Sequence, residues 1–143
     1  MNKGEYMIGI ILMSHGKMAE GMLDTIYMFF GVNVSQIRAL VFEGSDAPEE
    51  FDVKLQKAIK EVDDGHGVIG FCDLMGGTPA NRSILQMSNR FQVIAGMNFP
   101  ILIELLGIRS SGIDISELNI QELLEIGKKG VISINECFAN FNQ

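Results

Sequence analysis

Residues 7–16 read MIGIILMSHG. The first seven are apolar without interruption, include three isoleucines, and stop at the polar turn Ser14-His15-Gly16. A half-exposed strand alternates apolar and polar residues. A short unbroken run that ends in a turn is the pattern of a strand buried on both faces. Such a strand needs helices above and below it, so this stretch points to an α/β fold with a parallel central sheet. The run is too short to cross a bilayer, which takes about 20 apolar residues. No basic segment precedes it as in a secretory signal. We therefore expect a soluble, unexported, cytoplasmic protein.

The pattern continues on the C-terminal side. Met18, Met22, Ile26, Phe29 and Phe30 recur at helical spacing before Gly31, and residues 37–42 (IRALVF) predict a second strand. Asp46 and Glu49 form a capping-box pattern with Pro48 in the first turn, and Phe51, Leu55, Ala58, Ile59 and Val62 line one face of the helix that follows. Residues 68–72 (VIGFC) predict a third buried strand. A glycine-rich turn follows, then a helix to about Met87, with Thr78 as its expected cap and Pro79 in first position. Residues 91–95 (FQVIA) predict a fourth strand, and Pro100 opens a short helix through about Leu106. Asn119 and Glu122 form another capping-box pattern, for a helix with Lys128 and Lys129 at its negative end. Residues 131–134 predict a short fifth strand. The order β-α-β-α-β-α-β-α-α-β implies an α/β three-layer sandwich with a mainly parallel central sheet, helices on both faces, right-handed crossovers and a possible antiparallel C-terminal strand. We expect one domain over residues 1–143, with its core at about 7–134 and a tail at 135–143. Residues 107–114 (GIRSSGID) read as the loosest stretch, a mobile loop or hinge.

Composition narrows the function. Apolar residues make up 47% of the 143, enough to fill one core, and 20% charged residues are too few for a disordered chain. The formal net charge of -7 argues against nucleic-acid binding and against adsorption to anionic membranes. Cys72 and Cys137 have neither metal-site nor redox spacing. Both are expected to be free thiols, with Cys72 a small core residue. No metal and no cofactor are expected.

In open parallel sheets, ligands sit beyond the carboxyl ends of the strands. Two polar turns leave such ends here: Ser14-His15-Gly16 after the first strand, and the stretch from Asp73 through Pro79 after the third. If those strands are neighbours, His15 and Asp73 converge. A carboxylate on one ring nitrogen fixes the tautomer and leaves the other nitrogen as a nucleophile. Gly76 and Gly77 let main-chain N–H groups approach a phosphoryl oxygen, and Thr78 adds a hydroxyl at a helix start. Ser14, Gly76, Gly77 and Thr78 are therefore the candidate phosphoryl-binding residues, beside His15 and Asp73 as the catalytic pair. Either turn alone is commonplace; their shared position at strand ends gives them weight. His66 precedes a strand and belongs at the opposite edge as a solvated loop histidine. Met18 and Met22 read as core, and Lys17 and Arg82 as ordinary surface charges.

Three motifs resemble the mannose-family enzyme IIA component of the bacterial phosphoenolpyruvate-dependent sugar phosphotransferase system. Ile10-Ile11-Leu12-Met13-Ser14-His15-Gly16 is similar to that family's first strand and phosphorylated-histidine loop. Asp73-Leu74-Met75-Gly76-Gly77-Thr78-Pro79-Ala80-Asn81 resembles its Asp-Leu-aromatic-Gly-Gly-Ser/Thr-Pro-x-Asn segment, with Met75 in place of the aromatic. Gly96-Met97-Asn98-Phe99-Pro100 resembles its Gly-x-Asn-x-Pro turn. The resemblance implies that His15 takes a phosphoryl group from the histidine phosphocarrier protein and passes it to enzyme IIB, serving the membrane components indirectly. By the same resemblance Asp73 orients His15, Thr78 lies beside the phosphoryl group, and the protein is a homodimer, in some members with an exchanged last strand. With no linked IIB segment in the sequence, a stand-alone IIA is expected. The rivals are the phosphotransfer subunit of a dihydroxyacetone kinase, a histidine phosphatase-like hydrolase and a flavodoxin-like binding module. The hydrolase reading needs an arginine where Ser14 stands and a second active-site histidine.

Overall fold

The computed structural model describes residues 6–142; the polar start at 1–5 and Gln143 at the end of the expected tail lie outside the described residues. Four strands, β1 (Gly9–His15), β2 (Ile37–Phe42), β3 (Val68–Cys72) and β4 (Phe91–Ala95), form one parallel sheet in the order β2-β1-β3-β4. Strand β1 is interior, paired on both sides, and every residue from Gly9 through Ser14 is buried; only His15 emerges. The apolar run is thus a strand covered on both faces. Side chains alternate across a strand. Ile8, Ile10 and Leu12 enter one core with Ile26 of α1 (Met18–Phe30), Leu102 and Leu105 of α4 (Phe99–Arg109) and Leu123 of α5 (Ile120–Lys129). Ile11 and Met13 enter the other, with Phe51, Leu55 and Val62 of α2 (Pro48–Val62) and Ala80 of α3 (Thr78–Ile84). Each such fully buried aliphatic side chain contributes about 2 kcal/mol by leaving water.

Several local expectations need correction. The Asp46–Glu49 capping box does not form: α2 starts with Ala47 as N-cap and Pro48 at its first position, and Asp46 instead accepts from the Glu43 N–H at 2.7 Å. Thr78 is not a cap, because Gly77 takes that position and Thr78 is already helical. Asn119 does cap α5, accepting from the Glu122 N–H at 3.1 Å. The fifth strand and the antiparallel C-terminal strand are absent from the described residues. Residues 131–133 are irregular, and Ile134–Cys137 is a short helix, α6. The local reason is Ser133, whose hydroxyl accepts from the Glu136 N–H at 3.2 Å and caps that turn.

The stretch expected to be loosest is firmly anchored. Asn98 caps α4 by accepting from the Ile101 N–H at 3.0 Å, and the helix runs past Gly107 to Arg109. Arg109 is only 2% exposed. Its guanidinium donates to the carbonyls of Ile8 (3.0 Å) and Ser35 (2.7 Å), tying α4 to the entry of β1 and the segment before β2. Burial pulls its pKa down to about 10, with nearby Asp64 opposing the shift. Asp114 and Glu117 then form the capping box of a 3-10 turn, Ile115–Glu117, and Arg90 holds both Asp114 oxygens at 2.8 Å. Arg109→Met, which keeps the length but strands those carbonyls, should lower unfolding stability by on the order of 2–4 kcal/mol in urea titrations. An unchanged midpoint would mean that the buried guanidinium is not an anchor.

Candidate functional site

Parallel pairing of β1 with β3 brings the two polar turns together. Met13 lies opposite Cys72, and the Asp73 N–H continues the ladder onto the Met13 carbonyl at 3.1 Å. Asp73 Oδ2 accepts the main-chain N–H of His15 at 2.9 Å and also lies 2.9 Å from the ring nitrogen Nδ1. Asp73 Oδ1 accepts from the Leu74 N–H at 2.9 Å. Partial burial pushes the Asp73 carboxyl up, but the His15 N–H, the His15 ring and the Leu74 N–H outweigh it and hold the group below the ordinary carboxylate range. The His15 side chain is 45% exposed and that of Asp73 10%. With the carboxylate on Nδ1, Nε2 is the nitrogen left for chemistry.

Glycines shape the surroundings of the ring. Gly16 has φ +57°, the left-handed turn that ends β1. A Cβ on Gly77 would stand 2.3 Å from His15 Cε1 and 3.0 Å from Nε2, so the Gly77 main chain lies directly against the imidazole. Gly77, the N-cap of α3, therefore lies beside the ring on its Cε1 and Nε2 side, with Gly76 before it and Thr78 after it in the chain.

Ser14 departs from its expected part in phosphoryl binding. It is fully buried, and its hydroxyl donates to the Gly16 carbonyl at 2.9 Å while accepting the Ala19 N–H at 2.7 Å. It ties the His15 turn to the start of α1, so the hydroxyl is already engaged within the chain. His66 lies where expected, before β3 at the other end of the sheet, with Nδ1 2.7 Å from Asp64. Arg82 is held by Asp52, and Lys17 is exposed at the start of α1. Met22 packs on the core as expected, but Met18 is exposed, and with Leu74 and Met75 it adds exposed apolar side chains on the segments beside His15. Cys72 is buried, and burial pushes its thiol up to about 11, which keeps it protonated and unreactive near neutral pH. Phe42, not singled out in the sequence, lies opposite His15 in the β1–β2 register. Among the described residues, no His, Cys, Asp and Glu side chains gather as a metal-ligand set, and no helix is long and apolar enough to cross a membrane.

Comparison with known proteins gives the family. The family described as PTS system fructose IIA component matches residues 9–121. The chain is 31% identical over 105 residues to the PTS system fructose-specific EIIA component of Bacillus subtilis, covering 72% of this chain and 71% of that protein. It is 30% identical over 126 residues to the PTS system mannose-specific EIIAB component of Escherichia coli, where the match takes in 87% of this chain but 38% of the longer relative. Among solved structures, the mannose/sorbose specific IIA subunit from Enterococcus faecalis superimposes with a TM-score of 0.76 at 30% identity, covering 89% of this chain and 94% of that one. The PTS IIA protein associated with the fucose utilization operon from Streptococcus pneumoniae gives 0.78 at 26% identity, covering 91% and 95%. The chain belongs to the mannose-family IIA components of the sugar phosphotransferase system. As such it is a phosphotransferase, a carrier of phosphoryl groups, and the family implies exchange with the system's phosphocarrier and a IIB component.

Gly77→Ala should push the imidazole off Asp73, because the added methyl occupies the place of Cε1. A histidine-detected NMR spectrum should then lose the fixed Nδ1–H tautomer while the fold persists. An undisturbed ring signal would show that the α3 turn yields instead.

Proposed function

We propose that His15 is the phosphorylated residue and that Asp73 orients it. The observation that carries this reading is the Asp73 Oδ2 atom on Nδ1, at 2.9 Å, with Nε2 left over. The Nε2 lone pair attacks the phosphorus of the donor's phosphohistidine in line. The new N–P bond forms as the donor's breaks, and the donor ring keeps the electron pair. Positive charge develops on the His15 ring and is stabilised by the Asp73 carboxylate. Main-chain N–H groups at Gly76, Gly77 and Thr78 are the donors for the incoming oxygens; those of Gly77 and Thr78 open α3, where N–H groups have no partner within the helix. The donor is the histidine phosphocarrier protein and the acceptor enzyme IIB, each docking in turn on exposed apolar side chains that include Met18, Leu74 and Met75, in the cytoplasm. The membrane components receive the group only through IIB. The unit is a single IIA domain, supported by core clusters that run from Ile8 to Leu123.

His15→Ala should abolish phosphoryl acceptance, read as loss of one acid-labile phosphoryl group in the intact mass after incubation with phosphoenolpyruvate, enzyme I and the phosphocarrier. Asp73→Asn should retain acceptance at a rate lower by roughly 10²-fold, the scale of a positioned electrostatic partner. Acceptance by the His15→Ala protein would sink the assignment.

We propose a homodimer as well. The C-terminal segment presents Val131 (79% exposed), Ile134 (72% exposed) and Ile132 to solvent, and Val131 lines a surface groove with Ile94 and Ala95 of β4, a strand with no outer neighbour among the described residues. An apolar segment of this kind is suited to a second copy. Sedimentation should show a dimer that Ile134→Asp converts to monomer; a monomeric parent protein would refute this.

A further inference from the structure

The hydrogen bond from His15 to Asp73 holds the imidazole at one point and leaves it free to swing about that point. A half-exposed ring held only there would visit several orientations, and few of them would present Nε2 to a partner. A residue on β2 removes that freedom. Phe42 is the register partner of His15. Its ring centre lies 6.2 Å from that of the imidazole with the planes 89° apart, an edge-to-face contact. Phe42 is itself held by Phe51 of α2, 6.1 Å away at 86°, and Phe51 is buried in the core. The Phe42 carbonyl also accepts the Gly16 N–H at 3.0 Å, so the same residue fixes the turn that follows His15. Gly77 closes the Cε1 side of the ring.

We infer that Phe42 is a positioning residue for phosphoryl transfer: its ring, backed by Phe51, holds the His15 imidazole in the orientation that keeps Nδ1 on Asp73 and Nε2 towards the partner. The two restraints act in different directions. Asp73 supplies the partner for Nδ1, and Phe42 holds the ring in the plane where that contact is kept and Nε2 is presented. Phe42 touches neither donor nor acceptor in this role; it acts through His15. The kinetic part rests on the proposed phosphorylation of His15, whereas the orientation of the ring does not.

The test compares the parent protein with Phe42→Leu, which keeps apolar bulk against Phe51 but loses the flat ring, and Phe42→Tyr, which keeps the ring. In the unphosphorylated, histidine-labelled protein, ¹⁵N spectra should show a single Nδ1–H tautomer for the parent and the Tyr variant. The Leu variant should show averaged ring nitrogens. With phosphorylated phosphocarrier as donor, the Leu variant should accept the group roughly threefold to tenfold more slowly, the range expected for losing one aromatic pair, and should carry it on both ring nitrogens rather than on Nε2 alone. The Tyr variant should behave as the parent. Should the Leu variant fail to fold, Phe42→Met, with a long apolar side chain and no ring, takes its place. A ringless variant with one fixed tautomer and the parent's rate would overturn the inference. A parent protein that accepts no phosphoryl group would instead remove the carrier assignment, and the tautomer spectra would still decide the part played by Phe42.

Discussion

One oxygen atom organises this molecule's reactive end. Asp73 Oδ2 receives both the main-chain N–H and the ring nitrogen of His15. That convergence exists only because β1 and β3 are parallel neighbours ending at the same level, with Asp73 extending the ladder by one bond onto Met13. The burial of β1 on both faces gives the pair a rigid base. Ser14 ties the following turn to α1, Phe42 supports the ring from β2, and Gly77 brings the α3 turn up against it. Every strand except the edge strand β4 contributes to holding the one imidazole.

The opposite end of the sheet is polar in a different way. Arg109 donates to main-chain carbonyls, Gln36 donates to the carbonyls of Met7 and Val62, and Asp64 binds both His66 and the Met7 N–H. These contacts lock strand entries together. The two histidines therefore have unlike settings despite similar aspartate partners: the main chain at the start of α3 lies against the ring of His15, whereas His66 sits where a strand starts.

The fold was legible in the sequence where a single local pattern sufficed. The unbroken run at residues 7–13, the strand–helix alternation and the two turns at strand ends needed no long-range information, and they placed His15 and Asp73 at the same edge. The errors share a cause, namely competition from partners distant in sequence or a choice between near-equal local bonds. The helix opened by Pro100 was expected to end at about Leu106, but the burial of Arg109 carries α4 past Gly107. Residues 131–134 had strand composition but pair with no strand among the described residues, and Ser133 caps a short helix there instead. Ser14 was a phosphoryl-binding candidate; successive strand residues face opposite ways, and Ser14 is buried while His15 emerges. The contact of Phe42 with His15 depends on the β1–β2 register, which sequence periodicity does not specify.

The double use of Asp73 Oδ2 has a consequence for the energetics of relay. A site that is assembled before its cargo arrives has little reason to relax once the cargo is aboard. Relaxation would release free energy as heat at this step, and the onward transfer would then run uphill by the same amount. A phosphoryl group on the proposed Nε2 would find the carboxylate, the turn and the neighbouring rings already where they need to be. Its transfer potential would pass through nearly undiminished, so the step would run in either direction according to which partner carries the group. The rigidity of this edge is in that sense a way of keeping the relay reversible.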